Sequence, residues 1–389
     1  MDRASSSKMR TKRWQWQPNT SGTMSERTPY HEAASNAGAV FAEYAGWLIP
    51  ADYGRPELEC QQVQDGAAFF DISHHGMLLV TGNDAASFLH NLCTNEVLRL
   101  PIGAGCEAFL TTGQAKIVGH AFINHVMQAD RSDAFWVEVG AGMAKRVLDH
   151  LNRYLIAEQV ELADQTRHWA LLHLAGTRAA AVLDQALREP LRELSPLEQF
   201  QSNLGDVTVF VRQHDRLGFR GYDLLTARED APIVWPALRE AGAQPAGMRA
   251  YDTLRIEAGT PCYGLDIDET NLPQEVGRME QAVSFTKGCY IGQETIARIR
   301  TYGHVNRSLV GLRVNGAVPV PHGAKVFHAG KEVGHVTSSV YSPALVTVIA
   351  LAYIRRGAND VGISLELELG AARQSAVVTS LPFRSPGPA

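Results

Sequence analysis

Short runs of alternating apolar and polar residues recur along the chain and predict β-strands. The alternation is clearest at GMLLVTG (residues 76–82), AFWVEVG (134–140), GDVTVFVRQ (205–213) and SLVGLRV (308–314), each bounded by residues that favour turns. Between them, the segment 143–155 repeats its apolar residues at intervals of three and four, at Met143, Val147, Leu148, Leu151 and Leu155. This spacing predicts an amphipathic helix that packs on a sheet.

The same pattern divides the chain into regions. Helical periodicity disappears after about residue 305, and short strands then alternate with glycine and proline turns, so we expect a small all-β domain over 305–384. Residues 28–304 mix strands and helices and are treated as one region. We interpret the basic, serine-rich start as a disordered extension over 1–27, with Met24 as an alternative first residue.

Composition narrows the function classes. The 389 residues are 45% hydrophobic and 20% charged with a formal net charge of -5, which is ordinary for a soluble globular protein and gives no indication of nucleic-acid binding. The longest apolar run, at 344–354, is far shorter than the roughly 20 residues of a membrane span. We expect a cytoplasmic monomer that binds neither nucleic acid nor membrane.

The cysteines and the clustered acids do not predict a metal site. The five cysteines form no CxxC pair and are odd in number, which argues against a disulfide framework and against structural zinc. Asp266, Asp268 and Glu269 lie near a glycine-rich turn but lack the ligand spacing of a calcium loop. The alternative is a solvated turn whose acids cap the following segment.

One cysteine has a setting that favours chemistry. Cys289 lies in KGCYIGQETIARIR (287–300), two residues after Lys287 and just before a predicted helix. A nearby cation and a helix N-terminus both favour a thiolate, which is the reactive form of cysteine. The alternative is that the thiol is a small buried hydrophobic group that fills a turn.

Five motifs in order resemble the glycine cleavage T-protein superfamily, the folate-dependent aminomethyltransferases and their relatives. They are TPYHEAASNAGAVFAEYAGWLIPADYG (28–54), AAFFDISHHGMLLVTG (67–82), RLGFRGYDLLT (216–226), RIEAGTPCYGLDID (255–268) and SAVVTSLPF (375–383). The resemblance spans residues 28–383. It implies an α+β fold in which a ring of antiparallel-sheet domains, the first two interleaved in sequence, surrounds a folate channel and precedes a C-terminal β-barrel.

The resemblance also implies a tetrahydrofolate site. A pterin presents an amino-oxo edge that pairs with a carboxylate, and a flat ring that packs on aromatic or apolar faces. Asp223 stands where the family usually has a glutamate for that edge, Phe219 replaces a family tyrosine, and Tyr263 matches another. Arg255 opens the fourth motif and is assigned to the same site. Taken singly, each of these residues could equally be a strand-end acid or a packed side chain.

The catalytic position departs from the T-protein pattern. T-proteins carry an aspartate in a Gly-Gly-Ile-x-Asp-Asp-like stretch near the reacting nitrogens of folate. The corresponding segment here, TTGQAKIVGHAFI (111–123), offers Gly119 and His120 and no acid. His120 is a candidate base because histidine titrates near neutrality. The alternative is a packed histidine on a strand.

Two functional hypotheses follow. KGCYIGQE is similar to the signature of the YgfZ-type folate-binding proteins, which implies an accessory protein for iron–sulfur enzymes or tRNA modification, with Cys289 and Lys287 as its reactive edge. The other hypothesis is a one-carbon transferase that uses His120 or Asp223 and takes its group from a lipoyl carrier protein. A related demethylase shares the fold but has no distinguishing residue here.

Overall fold

The computed structural model describes residues 25–384 except residues 129 and 371. The chain begins with strands β1 (Glu26–Arg27), β2 (Val40–Tyr44) and β3 (Trp47–Asp52) and helices α1 (His31–Asn36) and α2 (Pro56–Asp65). The three strands form a small sheet in the order β1-β3-β2. Most of the extension predicted over 1–27 therefore lies outside the described residues, and its last two residues form β1.

Two larger sheets follow, and the chain moves between them. Their strands are β4 (Ala68–Asp71), β5 (Gly76–Thr81), β6 (Gly105–Thr111), β7 (Ile117–Met127), β8 (Asp133–Val139), β9 (Glu161–Asp164), β10 (Trp169–Ala175), β11 (Gln199–Leu204), β12 (Val207–Gln213), β13 (Gly221–Ala227) and β14 (Gln244–Ala246). One sheet has the order β6-β7-β8-β5-β9 and the other the order β11-β12-β13-β10-β4-β14. Because β4 belongs to the second sheet while β5 to β9 form the first, the two units are interleaved in sequence.

Helices cover these sheets or connect them to the last domain. They are α3 (Ala85–Leu92), α4 (Ala144–Tyr154), α5 (Ala179–Leu187), α6 (Ala231–Glu240), α7 (Met248–Glu257), α8 (Pro273–Val276), α9 (Met279–Ala282) and α10 (Gln293–Tyr302). Helix α4 confirms the helix predicted over 143–155, and it buries Val147 and Leu151 against the five-stranded sheet. Helix α7 packs on the C-terminal domain.

The C-terminal domain is a closed six-stranded barrel. Its strands are β15 (Arg307–Val314), β16 (Lys325–His328), β17 (Lys331–Ser342), β18 (Thr347–Arg355), β19 (Ser364–Leu369) and β20 (Ala372–Thr379), and their order around the barrel is β15-β18-β17-β16-β19-β20. Alternate residues such as Leu312, Val314, Val348 and Ala350 fill its interior. The four strands predicted from alternation correspond to β5, β8, β12 and β15. Within the described residues, every helix is too short or too polar to cross a membrane.

Candidate active site

A cavity of about 470 Å³ lies where the five-stranded sheet, the β12–β13 connection and helix α7 meet. Its walls carry four carboxylates and three guanidiniums, contributed by Glu107, Glu138, Asp215, Asp252, Arg216, Arg255 and Arg278, together with four histidines, His74, His75, His120 and His214. Enclosed cavities that converge several polar groups among apolar walls are the usual location of small-molecule sites.

The pairing register of strands β6, β7 and β8 determines which side chains form the floor of this cavity. Glu107 on β6 lies directly opposite Phe122 on β7, and Phe122 lies directly opposite Glu138 on β8. His120 precedes Phe122 by two residues and therefore faces the same side of the sheet. The floor is thus a row in which the Phe122 ring lies between the carboxylates of Glu107 and Glu138. Each carboxylate contacts one imidazole and at least one guanidinium.

The first of these clusters contains Glu107, His120 and Arg278. Glu107 Oε1 lies 2.8 Å from His120 Nε2 and accepts a 2.8 Å hydrogen bond from Arg278 Nε. Burial alone would raise the pKa of Glu107, but the hydrogen bonds and charges of Arg278 and His120 hold that pKa below its ordinary value. The ionised carboxylate favours a proton on His120 Nε2, so Nδ1 is left with its lone pair. Nδ1 hydrogen-bonds none of the described residues.

The second cluster is larger and surrounds Glu138, on the other side of Phe122. Glu138 accepts hydrogen bonds from both Arg212 and Arg216, and its Oε1 lies 2.8 Å from His75 Nδ1. Asp223 also accepts from both arginines. Burial raises the pKa values of the two carboxyls, but the arginines outweigh it and hold both well below their ordinary values. The cluster therefore balances two carboxylates against two guanidiniums.

Two other carboxylates in the wall keep one oxygen free. Asp215 Oδ1 accepts from the backbone nitrogen of Gly221 and the side-chain amide of Gln213, and Asp252 Oδ1 accepts from Arg255 Nε at 2.8 Å. In each case Oδ2 has no hydrogen-bond donor among the described residues. Burial raises the pKa of both carboxyls despite these donors. These are the groups that could still pair with donors on a bound molecule.

The structure places three of the predicted residues in the cavity wall: His120, Tyr263 and Arg255. The Tyr263 hydroxyl donates a 3.1 Å hydrogen bond to the Ile117 carbonyl, and the residue lines the cavity. The guanidinium of Arg255 is occupied by Asp252, Asp266, Ser338 and the Thr260 carbonyl.

The other four predicted residues lie away from the cavity wall. Asp223 is 1% exposed, and its two oxygens accept from Arg212 and Arg216 and contact imidazoles. Phe219 packs on the core around α7, with the Arg384 guanidinium 5.6 Å from its ring centre. Lys287 donates to three backbone carbonyls, whereas Cys289 is exposed three residues before the cap of α10 at Gly292.

The sequence did give a signal for the residues that were missed. Glu107 and Glu138 are acidic residues with apolar neighbours on both sides in the strands GCEAFLT and DAFWVEV. A carboxylate is almost never fully buried unless it is paired, so such a position implies a partner. The partner could not be read from the sequence, because Arg278 lies 171 residues from Glu107 along the chain.

Two family models match this sequence. The GCVT N-terminal domain matches residues 30–287, and the glycine cleavage T-protein C-terminal barrel domain matches residues 307–384. The first match alone covers more than half of the chain. This chain belongs to the glycine cleavage T-protein family.

Relatives across the T-protein family support the assignment over nearly the whole length. An aminomethyltransferase from Rubrobacter xylanophilus is 33% identical over 335 residues, which are 86% of this chain and 88% of the relative. An aminomethyltransferase from Thermus thermophilus is 31% identical over 363 residues, 92% of this chain and 99% of the relative. The crystal structure of the glycine cleavage system aminomethyltransferase T from Bartonella henselae has a TM-score of 0.84 at 25% identity and covers 93% of this chain and 98% of its own.

These likenesses confirm the predicted α+β fold with a C-terminal β-barrel, and they confirm the T-protein superfamily. They do not single out a YgfZ-type branch, since the relatives named above are aminomethyltransferases. The one-carbon transferase that the sequence raised as its alternative is therefore better supported than the accessory protein.

Proposed function

We propose that this protein is a tetrahydrofolate-dependent one-carbon transferase of the aminomethyltransferase type, and that its reaction takes place in the cavity above Phe122. The observation that carries the proposal is the pair formed by His120 Nε2 and Glu107 Oε1 at 2.8 Å. It provides an oriented imidazole at the position where the T-protein pattern has an aspartate. The names of the relatives support the same class of reaction.

The groups in the cavity fit a reduced folate. Asp215 has a free carboxylate oxygen that can accept from the amino edge of a pterin. Phe122 and Tyr263 line the cavity and offer ring faces for a flat heterocycle. Asp223, which the sequence assigned to that edge, has its oxygens engaged by two arginines, so we assign the edge to Asp215.

His120 is the residue that accepts and returns the proton in this site. Bound tetrahydrofolate would supply the nitrogen that accepts the one-carbon group. His120 Nδ1 has the free lone pair that can take a proton released at that nitrogen, and Glu107 stabilises the imidazolium that results. Because Arg278 keeps Glu107 ionised, the imidazolium forms beside a fixed negative charge rather than in an apolar wall. The same Nδ1 can then return the proton to the departing amine.

The test is turnover by the purified full-length protein. We expect methylenetetrahydrofolate and ammonia to form from an aminomethyl-loaded lipoyl carrier when tetrahydrofolate is present, and folate binding to change tryptophan fluorescence. Absence of folate binding would contradict the proposal. Folate binding without turnover on this carrier would support the folate site and indicate a donor of another class, such as a methylated small molecule.

A second candidate is the YgfZ-type accessory role, with iron–sulfur enzymes as partners. The observation that favours it is that Cys289 is the exposed one among the five free cysteines. Lys287, however, donates to three carbonyls and is not available to activate the thiol. Under this proposal Cys289→Ser would abolish biological rescue while folate affinity is unchanged, and full rescue by that variant would contradict it. A cytoplasmic location and a monomeric state stay predictions.

A further inference from the structure

The cavity contains a second carboxylate–imidazole pair besides the one at His120. Glu138 Oε1 lies 2.8 Å from His75 Nδ1, and both residues line the cavity. Burial would raise the pKa of Glu138, but Arg216 and Arg212 hold that pKa well below its ordinary value, so the carboxylate is ionised. An ionised carboxylate favours a proton on His75 Nδ1 and leaves the lone pair on Nε2.

The second ring nitrogen of His75 is open to a small molecule. Nε2 hydrogen-bonds none of the described residues, and the side chain keeps 16% of its surface exposed. The neighbouring His74 is different, because it is 1% exposed and both of its ring nitrogens are enclosed without a partner. His75 therefore shares the combination found at His120: a buried carboxylate fixes one nitrogen, and the other nitrogen is available to a bound molecule.

A turn between β4 and β5 holds His75 in place. Its backbone nitrogen donates to the Ile72 carbonyl at 3.0 Å. Strand β5 begins at the next residue and pairs with β8 so that Met77 lies directly opposite Glu138. The backbone on both sides of the His75–Glu138 contact is therefore fixed by hydrogen bonds.

The two carboxylate–imidazole pairs lie on opposite sides of Phe122. Glu107 and Glu138 are the residues opposite Phe122 on its two neighbouring strands, so their backbones are about 10 Å apart at the usual strand spacing. A molecule bound over the Phe122 ring therefore lies between the two pairs.

Transfer of the carbon requires two protons to move. When the aminomethyl carbon becomes the bridge of methylenetetrahydrofolate, two carbon–nitrogen bonds form, and each of the two folate nitrogens loses a proton. The carbon–sulfur bond to the lipoyl carrier and the carbon–nitrogen bond to the amine break, and each leaving group gains one proton. The reaction needs no oxidant or reductant. Because one imidazole carries one proton at a time, a single base would have to serve both leaving groups in turn.

We propose that His75 is a second catalytic residue, which takes the proton of one folate nitrogen and gives it to the sulfur of the carrier. The inference rests on the proposed function and deepens it by assigning the two protons: His120 serves the amine, and His75 serves the sulfur. The proton moves through His75 Nε2. Glu138 is a positioning residue, because it orients the ring through Nδ1 and stabilises the imidazolium that forms.

The first test is turnover of the full-length His75→Asn protein. This variant keeps an amide donor for Glu138 near the place of Nδ1 and lacks Nε2. We expect kcat with the aminomethyl-loaded lipoyl carrier to fall about a hundredfold while the Kd for tetrahydrofolate changes less than about twofold. His168→Asn is the matched control, because this histidine is exposed and lies outside the cavity, and it should retain turnover.

Rescue by free imidazole distinguishes a proton carrier from a structural histidine. His75→Ala leaves space for imidazole in the cavity wall, so added imidazole should raise its kcat by about tenfold or more. The same addition should not raise the kcat of His75→Asn, in which the amide fills that space. Urea midpoints show whether either variant has lost stability.

Full turnover by His75→Asn would overturn the inference, and so would a His75→Ala protein of wild-type stability that imidazole does not rescue. In both cases turnover by the wild type would leave the proposed function standing. A wild-type protein that binds folate without turning over the carrier would overturn the inference and leave the folate site supported. Absence of folate binding by the wild type would overturn the proposed function as well.

Discussion

His120 shows how the role of a side chain is set by its neighbours. A lone histidine on a strand is usually packed or solvated. The sequence did not distinguish such a structural histidine from a catalytic base. In the structure Glu107 fixes the ring through Nε2 and Arg278 fixes Glu107. The free Nδ1 in a cavity is the feature that distinguishes a base from a packed residue.

Asp215, which has a free oxygen, and Asp223, which belongs to the second cluster, should respond differently to substitution. Asp215→Asn should weaken tetrahydrofolate binding by about ten- to hundredfold, because a charged acceptor for the pterin edge is lost. Its stability should change little, since Asp215 has no salt bridge among the described residues. A fluorescence titration measures the affinity.

Asp223→Asn is the counterpart of that substitution. It leaves Arg212 and Arg216 with one carboxylate instead of two, so we expect a loss of about 3–5 kcal/mol in the free energy of unfolding. Urea unfolding followed by circular dichroism measures it. A stable Asp223→Asn protein with weakened folate binding, beside an unaffected Asp215→Asn protein, would return the pterin edge to Asp223.

The sequence reached part of this site and missed part for a physical reason. Tyr263 and His120, which the motif resemblance singled out, lie in the cavity wall. Glu107 and Arg278 were missed because the contact joins two distant parts of the chain. Asp252 and Asp215 were missed because their significance is a free oxygen, and that depends on where every neighbouring donor points.

At the scale of the element, the segment around Lys287 connects distant parts of the chain. The ammonium of Lys287 donates to the carbonyls of His90, Cys93 and Asn95, which lie at or just beyond the end of α3. Carbonyls at the end of a helix have no partner within the helix. Lys287 therefore satisfies the end of α3 from almost two hundred residues further along the chain.

Removing that ammonium should lower stability. Lys287→Met keeps most of the side-chain volume but leaves buried carbonyls without a donor, so we expect a loss of about 1–3 kcal/mol in the free energy of unfolding. Cys289→Ser, on the same segment but exposed, is the control and should stay within about 0.5 kcal/mol of the wild type. The urea midpoints of both variants are compared with that of the wild type. A Lys287→Met protein as stable as the wild type would show that water satisfies these carbonyls in place of the lysine.

Elements with strong periodicity were predicted well, and short ones were not. Helix α4 and strands β5, β8, β12 and β15 each have an apolar face that is repeated several times. Helices α8 and α9 have four residues each, which is too short for a periodic pattern. Glu275 caps α8 through a local contact with the Leu272 backbone, whereas α9 begins where Arg278 reaches Glu107, a contact that depends on tertiary structure.

At the scale of the whole molecule, stability should fall as the solution becomes acidic. Burial and Arg216 lower the pKa of His214 to about 3, and burial with Arg153 lowers that of His150 to about 4. The unfolded chain takes up these protons first, near about pH 6.5. Stability is therefore complete above that pH and is lost as the pH falls toward the folded pKa values, by up to about 1.4 kcal/mol per pH unit for each histidine.

The measurement is the urea midpoint between about pH 7 and about pH 5. Burial also lowers the pKa values of His74, His173 and His335, which act in the same direction. His150→Gln removes one of these histidines and should reduce the slope. The carboxyls with lowered pKa, Glu107, Glu138 and Asp223, stabilise the fold above their unfolded pKa values of about 4 to 4.5 and lose that contribution as the pH falls below them, so they do not account for a change in this window. A flat profile in the wild type would mean that these histidines are solvated in the folded protein.

The role of His120 is tested by the turnover of His120→Ala with saturating tetrahydrofolate and donor, beside His125→Ala as a control on the same strand but outside the cavity. We expect His120→Ala to lower kcat by about a hundredfold or more, to change the Kd for tetrahydrofolate by less than about twofold, and His125→Ala to retain turnover. Full activity in His120→Ala would contradict the role assigned to His120 and its pairing with Glu107.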